Sequence, residues 1–417
     1  MHAAAFEALL TEAGRELLGG IDPTEAANDR LAVASRLRAE PGVAALRPDL
    51  PASDLVNALL TQITLRERAR AKFGDRAASM FFTPDGAEQA TRASVAAYRA
   101  GRLAEAGVQL SDARPAGDLC CGIGADLIAL AEHGVPVEGT DTDPLTVAVA
   151  RANIAALGLE DTARARQGDA TVTAPGHYPV LFCDPARRGG RGRVFDPDAY
   201  SPPWGSAVEL ARESQAACLK AAPGIPHEVL PEDSAAEWIS VDGELKEAAL
   251  WFGALAQNRQ RRATVLHERP GLREREGEAA HLEADPDAGP APVAPARRYL
   301  YDPDPAVVRS HLVAEAAARV DGALLDERIA YFTSDRAEFS PLWRVLEVEA
   351  VMPFSLKKLR AALRERGVGT VTVKKRGSAV DTERLRRDLR PSGPEAATVV
   401  LTRVGERPWA LVCREVA

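Results

Sequence analysis

The run Asp118-Leu119-Cys120-Cys121-Gly122-Ile123-Gly124-Ala125-Asp126 restricts the fold of this chain more than any other feature. A short apolar stretch ends in a bend punctuated by glycine, and a helical pattern over 125–133 follows at once. Apolar runs at 117–121, 136–140, 162–167, 179–183 and 217–222 then alternate with helical stretches at 125–133, 144–157 and 206–215. Parallel strands need long crossovers, usually helices, so this alternation predicts an α/β domain: a doubly wound parallel sheet covered on both faces. Segments 237–241 and 244–252 flank Asp242-Gly243 and read as a hairpin that closes the sheet with an antiparallel edge.

On either side the texture differs. Residues 1–105 read as an N-terminal helical domain, with Leu55, Leu59, Leu60 and Leu65 spaced as one helix face. The doubly wound domain is expected over 106–269. Residues 270–296 are rich in Glu, Ala and Pro and read as a linker or flexible insertion. Folded texture resumes over 297–417 as an α+β domain, with a strand–helix–strand unit at 346–373 and an antiparallel pair at 398–403 and 409–413.

Charge separates these parts. The 417 residues carry a net charge of −8, yet the window 354–390 holds 12 basic and 4 acidic side chains. An acidic body with one basic module fits a polyanion partner. The five cysteines form no Cys-x-x-Cys pair, and no histidine falls at a metal-ligand spacing, so neither a disulfide framework nor a metal is expected. No apolar run approaches the ~20 residues that span a bilayer. Glu7, Glu12, Glu16 and Asp22 near the start do not fit a secretory signal, so a cytoplasmic location is expected and no membrane partner. Oligomeric state leaves no trace in the sequence.

A strand–glycine bend–helix lets a ligand approach the backbone, because glycine has no Cβ. Asp141 follows Gly124 by 17 residues, at the tip of the second expected strand, where a carboxylate can accept both hydroxyls of a ribose. Asp143 is a rival for that role. A dinucleotide fingerprint is missing, because its third glycine position is Leu127.

The segments D-L-C-C-G-I-G, G-T-D-T-D-P, A-R-A-N-I, Q-G-D-A and F-C-D-P-A-R-R occur in this order at βα spacings. This series resembles the class I S-adenosylmethionine-dependent methyltransferases, which have a Rossmann-like fold. The resemblance implies that Asp118, Gly122 and Gly124 surround the methionine part of the cofactor, that Asp141 holds its ribose and that Asp169 meets the adenine amine. Cys120 stands where such families place a first glycine, which implies a wider turn. The segments F-F-T-P-D-G-A-E-Q-A-T at 81–91 and P-F-S-L-K-K-L at 353–359 resemble a bacterial group of methyltransferases with a THUMP-like C-terminal domain. That likeness covers about 75–417 and implies an RNA partner.

Methyl transfer needs an oriented nucleophile and, where that atom is protonated, a proton acceptor. Asp184, ending the fourth strand, is the expected substrate-positioning carboxylate. Its D-P-A-R also resembles a motif of RNA 5-methyluridine methyltransferases, but those need a later cysteine where this chain has Ile239-Ser240-Val241-Asp242. With Lys220, Glu247 and, upstream, Lys72, Asp184 resembles the Lys-Asp-Lys-Glu tetrad of ribose 2′-O-methyltransferases. The resemblance implies a lysine whose lowered pKa lets it act as base. Arg187 and Arg188, followed by Arg191 and Arg193 among glycines, are expected to grip substrate phosphates, as are Lys374, Lys375 and Arg376. The expected function is methylation of RNA (tRNA or rRNA) at a ribose 2′-oxygen or a base nitrogen. The alternatives are a small-molecule or protein methyltransferase, and a non-catalytic RNA-binding protein that retains the fold.

Overall fold

The computed structural model describes residues 3–174, 176–187, 199–256, 260–268 and 279–416. Eight helices come first: α1 (Ala3–Leu9), α2 (Glu12–Gly19), α3 (Pro23–Asn28), α4 (Arg30–Ala39), α5 (Pro41–Leu46), α6 (Ala52–Phe73), α7 (Pro84–Gln89) and α8 (Ala93–Ala104). Side-chain oxygens start several of them. Thr11, Asp22, Asp29 and Thr83 accept backbone N–H groups that a first turn leaves unpaired. The apolar stripe of α6 is the spine of this bundle. The bundle core continues into Ile123, Ala125, Ile128, Val149 and Ala152, so the helical layer packs directly on the nucleotide-fold helices.

The first sheet holds β1 (Ala116–Leu119), β2 (Val137–Asp141), β3 (Ala163–Gln167) and β4 (Val180–Cys183). A two-strand ribbon follows, β5 (Ala186–Arg187) with β6 (Tyr200–Ser201). The sheet then continues with β7 (Ala216–Ala221), β8 (Ala235–Val241), β9 (Glu244–Gly253), β10 (Arg261–Leu266) and β11 (Ala279–Glu283). Their spatial order is β11-β10-β8-β9-β7-β4-β1-β2-β3. Strands β3, β2, β1, β4 and β7 are mutually parallel, as the alternation predicted. The chain leaves β1 toward β2 and β3, then returns to β4 on the other side. The crevice between β1 and β4 is therefore the topological switch point, where such sheets bind ligands.

The sheet departs from the sequence expectation in two places. The hairpin β8–β9 is antiparallel but not the edge: β9 lies between β7 and β8, and β10 and β11 extend the sheet. Part of the expected linker is strand β11, whose Leu282 enters the core and whose backbone pairs with β10. Low-complexity composition hid one short strand whose neighbour supplies every ladder bond. Residues 269–278 lie outside the described residues.

One sheet face is covered by α8, α9 (Ala125–Glu132) and α10 (Pro144–Ala156). Although α8 reads as N-terminal bundle, its Val95, Ala96, Ala100 and Leu103 pack into the sheet core. The other face is covered by α11 (Trp204–Arg212) and by 299–345. That segment carries β12 (Tyr299–Pro303), α12 (Pro305–Arg309), α13 (Val313–Arg319), β13 (Ala323–Asp326) and β14 (Ile329–Ser334). Its Tyr301, Val307, Phe332 and Trp343 share one core with Trp238, Leu250 and Val265. Truncating the fully buried Trp238 would cost roughly 3–5 kcal/mol.

The second sheet runs β13-β14-β12-β15-β18-β17-β16, with β15 (Trp343–Pro353), β16 (Val368–Lys375), β17 (Glu395–Val404) and β18 (Arg407–Glu415). Helices α14 (Leu356–Glu365) and α15 (Thr382–Leu389) cover its far half through Leu359, Leu363, Leu385 and Leu389. The expected β17–β18 pair is antiparallel. In the strand–helix–strand unit, β15 and β16 are separated by β18 and β17, which insert between them.

Candidate active site

The bend after β1 keeps its shape through backbone conformations that L residues avoid. Gly122 and Gly124 have φ of +56° and +89°, and Cys120 adopts +63°. The cysteine thus supplies the left-handed turn of the glycine it replaces, a strained conformation of the kind that concentrates at functional sites. A Cβ on Gly122 would meet nothing within 4 Å, so this backbone faces open space. From the N-terminal layer, Gly86 lies so close that its Cβ would stand 2.4 Å from Ile123. The F-F-T-P segment is pinned behind it. Phe82 exchanges bonds with Gln62, and Phe81 with Asn153, whose amide also donates to Ile123 O.

Asp141 ends β2 with one oxygen accepting Gly122 N–H and the other Asp143 N–H, each at 3.0 Å. Half-buried and clamped from the backbone, it retains lone pairs for a ribose. Its rival Asp143 caps α10 by accepting Thr146 N–H at 2.6 Å. Asp169 is exposed, accepts from Thr171 N–H and Oγ1, and sits next to Gly168, whose N–H bonds Asp141 O. Asp141 thus ends β2 and Asp169 follows β3, at the C-terminal ends of neighbouring parallel strands.

Below the bend lies a buried charge cluster. Asp118 is 0% exposed, and neither carboxylate oxygen has a hydrogen-bond partner among the described residues. Burial, reinforced by Asp126 and Asp184, holds its carboxyl well above the usual range. Asp184 stands at the end of β4 with 34% of its side chain exposed, and Lys220 of β7 donates to it at 2.5 Å. Lys220 also donates to Thr91 Oγ1 at 3.1 Å. Glu247 of β9 lies on the same sheet face as Lys220 but bonds Arg99 instead, at 2.6 Å. Arg99, 1% exposed, reaches Asp126 at 2.5 Å with its other nitrogen and stacks 4.5 Å above Phe182.

The electrostatics change the role expected for Lys220. Burial opposes its charge, but Asp184 and Glu247 outweigh that effect and its pKa is raised, so it stays an ammonium. It is not the deprotonated base that the tetrad resemblance implied. Glu247 is the group poised near neutrality: burial pushes it up to about 7 against the pull of Arg99 and Lys220. Lys72 is close enough to feel Lys220. Its pKa is lowered first by burial and then by that neighbour, while its Nζ donates to the carbonyls of Glu88 and Ala90 and so braces the 84–91 segment.

The expected phosphate contacts fare differently. Lys374 donates to Asp302 at 2.5 Å, Arg376 to the other oxygen of Asp302 at 3.0 Å, and Lys375 to Val380 O. Lys374 and Arg376 thus anchor the end of β16 to β12, whereas Lys375 is exposed and makes no ion pair among the described residues. The Arg187 side chain, Arg188, Arg191 and Arg193 lie outside the described residues. Among the described residues no group of three or more His, Cys, Asp and Glu side chains could hold a metal, and no helix is long and apolar enough to cross a membrane. Arg99 carries no local signal in the sequence, and Thr91 closes the segment 81–91 without any sign of its role. They lie 8 residues apart, upstream of the first strand, within an ordinary helical pattern.

A switch-point crevice with a glycine bend, an aspartate clamped at the tip of β2 and a partly exposed carboxylate after β4 is the kind of place where doubly wound sheets bind nucleotide-like ligands. Comparison with known proteins specifies it. An uncharacterised S-adenosylmethionine-dependent methyltransferase of Mycobacterium tuberculosis is 36% identical over 371 residues, covering 85% of this chain and 96% of that protein. The chain belongs to the S-adenosylmethionine-dependent methyltransferases. A sequence profile for a THUMP domain-like family matches residues 343–415, and one for a domain of unknown function matches 2–69. A crystal structure of a methyltransferase candidate from Porphyromonas gingivalis shares the fold over 93% of this chain and 98% of that one, at TM-score 0.67 and 18% identity.

The site's own residues fit the cofactor. The orphaned Asp118 carboxyl offers an acceptor for an ammonium, Gly122 borders open space, and Asp141 presents acceptors for a diol.

Proposed function

We propose that this methyltransferase acts on RNA, at a base nitrogen presented to Asp184. S-adenosylmethionine supplies the methyl group. The observation that carries the reading is the Lys220–Asp184 contact at 2.5 Å, with Lys220 kept as an ammonium. A ribose hydroxyl is a poor nucleophile and needs a strong neighbouring base, which a charged lysine is not. A nitrogen already offers its lone pair and needs only orientation and a modest acceptor. Asp184, steered by Lys220, accepts the substrate N–H and takes the proton as the bond to carbon forms. Thr91 and the Arg99–Glu247 pair hold Lys220 at that place.

Two observations support RNA. One is the THUMP domain-like match at 343–415. The other is the outer face of α14 and α15. There Lys357, Lys358, Arg364, Arg387 and Arg390 are exposed and make no ion pair among the described residues. Such a face suits phosphates. The test is nucleoside mass spectrometry of RNA from a deletion strain complemented with wild type or Asp184→Asn. A methylated base absent from the deletion strain, restored by wild type and not by the variant, is expected. A missing ribose 2′-O-methyl group would refute the nitrogen assignment, and methyl label appearing in protein or small molecules instead would refute RNA.

A further inference from the structure

Asp118 poses a problem that the rest of the cluster does not. Arg99 and Lys220 each meet carboxylates, but neither of them bonds Asp118: Arg99 donates to Asp126, Glu247 and Thr91, and Lys220 to Asp184 and Thr91. Facing Asp118 are Asp126 from α9, Asp184 and Cys183 from the end of β4, Cys120 and Cys121 from the bend, and Arg99 from α8. An ionised carboxylate there would be fully buried, without a donor among the described residues, beside two other carboxylates. Burying such a charge unpaired is among the costliest arrangements a protein can adopt, and a carboxyl avoids it by keeping its proton. An amino acid's ammonium brings what Asp118 lacks, N–H donors that carry a positive charge and bond it directly.

We propose that the cofactor site is proton-linked: Asp118 is a neutral carboxyl in the free protein and releases one proton when the ammonium of the cofactor binds against it. The carboxyl O–H bond breaks, the proton passes to solvent, and the carboxylate remains paired with the ammonium. The transferable methyl group takes no part, so the demethylated product S-adenosylhomocysteine behaves alike. Adenosine, which lacks the amino-acid end, binds without releasing a proton. The inference rests on the cofactor and is independent of the RNA reading.

Isothermal titration calorimetry of the full chain with S-adenosylhomocysteine, at about pH 6.5 in phosphate and in imidazole, counts the protons from the difference in heat. At that pH the ligand amine is already protonated. Release near one proton is expected, with affinity rising up to about tenfold per pH unit between about pH 5.5 and 7. Asp118→Asn should bind with no release and a flat pH profile. Should that variant not fold, wild type with S-adenosylhomocysteine against wild type with adenosine still decides. More than about half a proton, not reproduced by adenosine, supports the assignment. A smaller release, or an equal one with adenosine, overturns it.

Discussion

Replacing Arg99 with methionine tests how the buried cluster is held. Methionine keeps the volume and the packing on Phe182 but removes the charge that serves both Glu247 and Asp126, at 2.6 and 2.5 Å. Removing one partner of a buried pair leaves an uncompensated charge and costs roughly 3–5 kcal/mol. At about 2–4 °C per kcal/mol for a domain of this size, that is roughly 6–20 °C in Tm. The sign of its pH dependence follows from Glu247. Its carboxyl is already raised from 4.5 to about 7 by burial, and losing Arg99 raises it further. A carboxyl whose folded pKa lies above its unfolded value favours folding below the unfolded pKa, and that advantage fades as pH rises through the folded one. The deficit of the variant should therefore be largest at pH 8 and shrink toward pH 5. Thermal unfolding followed by near-ultraviolet circular dichroism measures it, and adding Glu247→Gln should restore part of the stability at pH 8. A variant as stable as wild type at pH 8, or one whose deficit grows on acidification, would refute this account of the cluster.

Other outcomes follow from the same geometry. Asp141→Ala removes a charged acceptor worth roughly 1.5–3 kcal/mol per bond, so calorimetry should show S-adenosylhomocysteine binding about 10–150-fold weaker. Lys220→Met should leave that binding in place while methyl transfer falls about 100-fold or more, as measured with labelled cofactor on total RNA. Asp302→Asn frees Lys374 and Arg376 and should lower stability by about 1–3 kcal/mol, read by chemical denaturation, with RNA affinity unchanged. Reversing Lys357, Lys358 and Arg387 to glutamate should instead weaken RNA binding and flatten its salt dependence in filter binding across a salt series. The slope should fall by about one unit for each phosphate no longer neutralised.

Local chemistry by itself determined a good deal of this protein. A glycine bend between an apolar run and a helix, an aspartate 17 residues on, and strand–helix alternation are short-range patterns. Backbone sterics and parallel pairing turn them into a switch point almost regardless of what surrounds them. Asp118, Gly122, Gly124, Asp141 and Asp184 could be singled out as candidates for that reason, and Lys220 fell beside Asp184 because both end neighbouring parallel strands. What the sequence left open was decided by contacts between distant segments. Arg99 meets Glu247 across 148 positions, and Lys374 meets Asp302 across 72, so no local window contains both members of either pair. The same distance explains why Lys374 and Arg376, read as phosphate contacts, tether β16 to β12, and why Lys220 remained charged. Protonation and accessibility depend on which opposite charges share a low-dielectric pocket, and only the folded arrangement of strands and helices fixes that.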